Sequence, residues 1–151
     1  MKAVTYQGHK NMEVREVHDP IIEESTDAII KITASGICGS DLHLYHQGDL
    51  FMDPGFVIGH EPMGIVEEVG KDVKTLKKGD RVVIPFNIGC GDCFYCNNEM
   101  ESQCDNSNSS PASWKMDNGG LFGFGGMHGN HWGGQAEYLS CLLYTSDAAD
   151  E

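Results

Sequence analysis

Four cysteines in one short stretch set the strictest condition on how this chain folds. Cys90-x2-Cys93-x2-Cys96-x7-Cys104 is a spacing at which four thiolates wrap a tetrahedral Zn²⁺ and leave no open coordination position, so the site is structural. Apparent binding energies of such sites are on the order of 10–16 kcal/mol, enough to order a lobe with little core of its own. The plain alternative is free or disulfide-paired cysteines, but four at ligand spacing by accident is improbable. An iron–sulfur cluster is the other competitor.

A second constellation favours zinc. Gly59-His60-Glu61-Pro62-Met63-Gly64 places an imidazole and a carboxylate side by side on a glycine-fenced turn, ahead of Ile65-Val66-Glu67-Glu68-Val69-Gly70, which alternates like a strand. Upstream lies Ile37-Cys38-Gly39-Ser40-Asp41-Leu42-His43, a thiol in a loop with a hydroxyl, an acid and an imidazole. Cys38, His60 and Glu61 converging on one point make a catalytic zinc shell, because thiolate and imidazole suit zinc and an incomplete protein shell leaves room for substrate. Taken singly, these residues have blander readings: Ser40 caps the following turn, Asp41 is a solvated loop acid, and His43 and His46 are surface histidines. The spacing after Cys38 lifts Ser40 and Asp41 above those readings more than His43.

The chain has 151 residues, 40% of them apolar, which is one ordinary domain with a real core. Its 19 glycines and 5 prolines point to a loop-rich β fold. Strands are predicted over 2–7, 12–17, 27–34, 63–69, 81–84 and 135–139, with a helical turn over 41–46 and loops at 49–56 and 118–134. The expected fold is mainly β: a small, partly open barrel with short helices and a zinc-binding lobe over 87–111. A formal charge of −13 argues against nucleic acid and against an anionic membrane surface. No membrane-span-length apolar run and no signal peptide are evident, so a cytoplasmic protein is expected. In a reducing compartment, clustered cysteines read as metal ligands. Asn108-Ser109-Ser110 matches a glycosylation acceptor that such a chain would not use.

Three elements in order, Cys38-Gly39-Ser40-Asp41, Gly59-His60-Glu61-x2-Gly64-x5-Gly70-x2-Val73 and the four-cysteine lobe, resemble the GroES-like catalytic domain of zinc-dependent alcohol dehydrogenases of the medium-chain dehydrogenase/reductase superfamily. The resemblance covers residues 1–140. Val83-Ile84-Pro85-Phe86-Asn87-Ile88-Gly89-Cys90 and Trp132-Gly133-Gly134-Gln135-Ala136-Glu137-Tyr138 are most similar to the formaldehyde dehydrogenase-like branch. The resemblance implies that Cys38 and His60 ligate catalytic zinc and that Glu61 lies near the metal. It implies that Asp41 orients His60, that Ser40 contacts the substrate oxygen and that His43 ends a proton relay. Cys90, Cys93, Cys96 and Cys104 would hold the structural zinc. The implied reaction interconverts alcohols with aldehydes or ketones, with hydride passing to NAD or NADP. A homo-oligomer is expected at full length. The alternatives are a polyol- or threonine-type zinc dehydrogenase and a non-catalytic zinc-stabilised binding module.

A dinucleotide-binding Gly-x-Gly-x-x-Gly between strand and helix is missing. Gly123-Phe124-Gly125-Gly126-Met127-His128 has His where the third glycine belongs, so the cofactor domain is expected to lie outside this chain and the fragment alone to be inactive. Residues 141–151 do not continue the preceding pattern and back-translate into a transposon-type sequencing adapter. They are expected to be a non-native tail.

Overall fold

The computed structural model describes residues 1–48, 52–110, 117–142 and 147–148. β1 (Lys2–Gly8) and β2 (Asn11–Glu16) form an antiparallel hairpin. β3 (Asp27–Ser35), β4 (Pro62–Val69), β5 (Arg81–Val83), β8 (Tyr138–Leu142) and β9 (Asp147–Ala148) form a five-stranded antiparallel sheet in the order β8-β3-β4-β5-β9. β6 (Asn87–Ile88) pairs with β7 (Gly120–Leu121) at the root of the cysteine lobe. An α-helix, α1 (Gly39–Gln47), follows β3.

Burial explains the arrangement. Asp27, Ala28, Ile29 and Ile30 are all buried, as a strand with neighbours on both edges and cover on both faces requires. β4 alternates instead, with Pro62, Gly64 and Val66 inward. Glu67, on its outer side, pairs with Lys78 at 2.7 Å. Ala28, Ile30, Val66, Leu76, Val82, Ile84, Ile88, Phe122 and Leu139 form the main core. A second cluster of Tyr6, Met52, Phe56 and Ile58 packs under the hairpin.

The sheets join without closing. β1 is stitched on its free edge to 56–58 and 135–137, through the Ala3–Ala136 and Thr5–Val57 bridges and the bonds Val4 N–H to Gln135 O and Tyr6 N–H to Phe56 O. This is the partly open barrel expected from the sequence. Among the described residues no helix is long and apolar enough to cross a membrane.

The last strand departs from the prediction at both ends. Gln135 and Glu137 are not in β8, because their backbone groups bond to Ile58, Lys2 and Ile32 instead. At the other end, Cys141 and Leu142 pair with Ala28 and Asp27, and Cys141 is 2% exposed in the core. A ladder edge accepts any residue offering its N–H and C=O, so the strand passes Ser140, where a boundary was expected. Residues 143–146 and 149–151 of the expected tail, and 49–51 and 111 of the expected loops, lie outside the described residues.

Candidate metal centres

Among the described residues, two groups of side chains could hold a cation. The first forms where β3 delivers the chain to α1. Cys38 is the N-cap of α1 in extended conformation, and its Sγ accepts from Ser40 N–H at 3.3 Å. Asp41 sits three residues on, and its Oδ2 accepts from Cys38 N–H at 2.9 Å. The two residues make a reciprocal capping box in which a thiol replaces the usual hydroxyl. This cap fixes both side chains before any ligand arrives.

His60 comes from the far side, on the glycine-fenced turn before β4. Its Nε2 lies 3.0 Å from Cys38 Sγ, and its Nδ1 faces Asp41 Oδ1 at 3.5 Å. Asp41 and His60 are both 5% exposed, and Asp41 Oδ1 and His60 Nδ1 are buried without a hydrogen-bond partner. A buried carboxylate opposite a ring nitrogen favours the tautomer with the proton on Nδ1. Nε2 then turns its lone pair toward the sulfur. Imidazole nitrogen and thiol sulfur facing one point are a zinc-type donor set.

The turn that carries His60 tolerates no bulk. Gly59 has φ 104°, and a Cβ on it would lie 2.5 Å from Gln135 N. Gly123 and Gly133 press on Gly59 from other segments, and a Cβ on Gly123 would lie 2.6 Å from Gly59 O. Aromatic rings complete the surroundings: Phe124 lies 4.6 Å and Phe86 6.3 Å from the His60 ring centroid.

The expected site residues divide. Cys38, Asp41 and His60 come together, with their candidate ligand atoms within 4.8 Å of one another. Glu61 is not in that group. It is exposed, and its carboxylate packs against Gly36, whose N–H donates to Glu61 O. The ring before Pro62 turns inward while the next side chain turns out, as successive residues entering a strand must. Ser40 is half-buried beside Cys38. His43 is exposed on α1, and its Nδ1 lies 3.4 Å from Gln47 Nε2. Phe124 was missed by sequence reasoning because its glycine-rich surroundings show no periodicity.

The second group is the lobe. The sulfurs of Cys90, Cys93, Cys96 and Cys104 lie within 4.8 Å of one another, and all four are unpaired as disulfides. Backbone N–H groups of Cys96 and Asp105 hold the Cys93 thiol below its ordinary value. Burial opposes ionisation at Cys90 and Cys104, yet amide donors with the Asn106 side chain at Cys90, and the Ser107 side chain with amide donors at Cys104, hold both low. Burial, aided by the Cys93 and Cys104 thiols, pushes Cys96 up to about 12. Four sulfurs within 4.8 Å of one another suit a divalent cation, which favours every thiolate at once. Asn108 Nδ2 is committed to Asn118 O and Met127 O, so the glycosylation pattern is buried structure.

A cavity of about 480 Å³ lies away from both groups, lined in part by Trp132, His18, Phe122 and Tyr138. Trp132 stacks on His18 at 4.5 Å between ring centroids where they line this cavity.

Comparison with known proteins places these features. The alcohol dehydrogenase GroES-like domain family matches residues 24–143. An uncharacterised zinc-type alcohol dehydrogenase-like protein of Bacillus subtilis is 60% identical over 92% of this chain and 35% of its own length. A formaldehyde dismutase of Pseudomonas putida is 38% identical over 91% of the chain and 34% of its length. Among solved structures, an alcohol dehydrogenase from Thermus sp. ATN1 superposes with a TM-score of 0.87 at 37% identity, covering all of this chain and 40% of that one. The chain spans about a third of the length of the curated relatives it matches.

Proposed function

We propose that this chain, which belongs to the alcohol dehydrogenase GroES-like domain family, is the catalytic part of a zinc-dependent oxidoreductase. The whole protein would interconvert alcohols with aldehydes or ketones by hydride transfer to NAD or NADP, with formaldehyde-type substrates favoured by the formaldehyde dismutase among its relatives. In this reading residues 1–140 form the catalytic domain and 87–111 its zinc lobe. Cys38 and His60 hold one zinc, with Glu61 available in another side-chain conformation. Cys90, Cys93, Cys96 and Cys104 hold the other. A cytoplasmic homo-oligomer remains the expectation for the whole protein.

The observation that carries the reading is the apposition of Cys38 Sγ and His60 Nε2 with Asp41 behind the ring. A binding module has no need of that arrangement. Zinc bound there supplies Lewis acidity toward an alcohol or carbonyl oxygen. The remaining tasks fall to side chains. Asp41 holds the His60 proton on Nδ1 and keeps Nε2 free. Phe86 and Phe124 exclude water from the imidazole. Ser40, beside Cys38, takes the proton from the substrate hydroxyl and passes it outward, and the exposed His43 is the terminal acceptor at the surface.

The test is the product of a gene that continues past residue 140. Alcohol-dependent reduction of a nicotinamide, lost in Cys38→Ser and in His60→Ala, is the expected result. Undiminished turnover in either variant would overturn the assignment.

A further inference from the structure

We infer that His131 is a positioning residue that couples the four-cysteine lobe to His60. The inference rests on the reading of His60 as a metal ligand. His131 Nε2 lies 2.6 Å from Ser107 O. A carbonyl oxygen only accepts, so Nε2 carries the proton and donates. Ser107 is itself part of the lobe: it is 4% exposed, its side chain bonds the Cys104 thiol, and its Oγ accepts from Gly120 N–H at 2.7 Å.

The other end of His131 leads to the Gly59 turn by two routes. Its carbonyl oxygen accepts from Gly123 N–H at 3.0 Å, and Gly123 packs directly on Gly59 and precedes Phe124, the ring against His60. In the other direction along the chain, Gly133 N–H donates to Val57 O and Gly134 N–H to Gly59 O, at 2.8 and 2.9 Å. The turn bearing His60 is therefore clamped between two segments that both depend on where His131 stands. The imidazole has little play. A Cβ on Gly129 would lie 2.7 Å from its Nε2 and one on Gly120 2.8 Å, while Phe122 meets the ring edge-on at 6.3 Å. Close-packed, hydrogen-bonded contacts of this kind transmit displacement. Ordering the lobe fixes Ser107, Ser107 fixes His131, and His131 fixes the walls that aim His60.

The experiment uses the intact chain and reads the ring-nitrogen NMR resonances of His60 together with Co²⁺ titration. His131→Phe keeps a ring against Phe122 and removes the donor. It should shift the His60 resonances and weaken Co²⁺ at Cys38 and His60 about tenfold, the low end for loss of a residue that orients a ligand. His131→Gln restores a donor and should return both readings toward wild type. A drop in thermal midpoint with His60 unmoved would mean that His131 is merely structural, and overturns the inference. If His131→Phe does not fold, wild type decides: filling the lobe with Cd²⁺ must move the His60 resonances, and no movement overturns it. Wild-type His60 resonances that ignore added Co²⁺ would instead refute the metal-ligand reading, a separate failure.

Discussion

The cysteine lobe and the Cys38–His60 site offer related donor atoms but are built in opposite ways. The lobe is local: Cys90 to Cys104 span a single excursion of the chain, held by short turns at Cys96–Asn98 and Glu101–Gln103. Among the described residues its adjoining strands, β6 and β7, are two residues long, and little apolar core lies under it. The Cys38–His60 site is distant in sequence and set in the scaffold. Cys38 caps a helix, His60 sits on a turn wedged by three glycines, and both are positioned by the β3–β4 pairing. One site depends on a cation for its order. The other has its side chains apposed before its own cation binds, with two buried polar atoms left unmatched.

That contrast can be broken most forcefully at the lobe. Cys104→Ser removes a thiol that is 2% exposed and within 4.8 Å of the other three sulfurs. Part of a binding energy on the order of 10–16 kcal/mol is lost with it, so ordered amide signals from 87–110 should disappear and bound zinc should fall by one equivalent, read by native mass spectrometry. Chelating the wild type should do the same while β3 and β4 amides stay protected from exchange. Loss of the whole sheet on chelation would mean that the lobe is integral to the core.

At the prearranged site the corresponding blow is steric. Gly133→Ala sets a methyl against Gly59 O and the Ile58 carbonyl. Backbone cannot give way as a side chain does, and about 1–3 kcal/mol of overpacking cost is expected, seen as a lower denaturation midpoint. Asp41→Asn is subtler. The amide still accepts from Cys38 N–H, but the charge opposite His60 Nδ1 is gone. Metal affinity at this site should fall about 10–100-fold with the lobe's zinc unaffected, as isothermal titration would record.

Smaller still is Gly36→Ala. Its methyl occupies the place of the Glu61 carboxylate and should swing that side chain away, a change visible in the Glu61 side-chain resonances. Tighter Co²⁺ binding in this variant would support Glu61 as an occasional ligand. Lys78→Ala, which breaks only an exposed pair with Glu67, should leave the thermal midpoint unchanged.

The lobe was legible because its information is sequential. Four thiols at ligand spacing define their own geometry, and no other part of the chain is needed to interpret them. The glycine-fenced turn at 59–64 and the strand after it were legible for the same reason, through local backbone demands and a period of two. Cys38, Ser40 and Asp41 stood out only by their mutual spacing, which anticipated the capping box without revealing it. Glu61 and His43 show where this fails. Adjacent residues entering a strand point to opposite sides, so His60 turns in toward Cys38 while the Glu61 carboxylate packs on Gly36, and its reach to the metal needs a change of side-chain conformation. His43 lies on the exposed side of α1, a fact fixed by how the helix docks.

What the sequence by itself determined, then, is chemistry and local form: four soft ligands in one lobe, a thiol and an imidazole in glycine-rich turns, and mostly short strands. The tertiary structure alone decided which of these meet. It set His60 Nε2 against Cys38 Sγ, brought Phe124 to the ring, drew Cys141 into the core beside β3 and placed His131 between the lobe and the Gly59 turn. The reason is physical. Ligand spacing and side-chain alternation are encoded within a few residues, whereas the approach of distant segments follows from strand register and from glycines whose missing Cβ atoms let backbones touch.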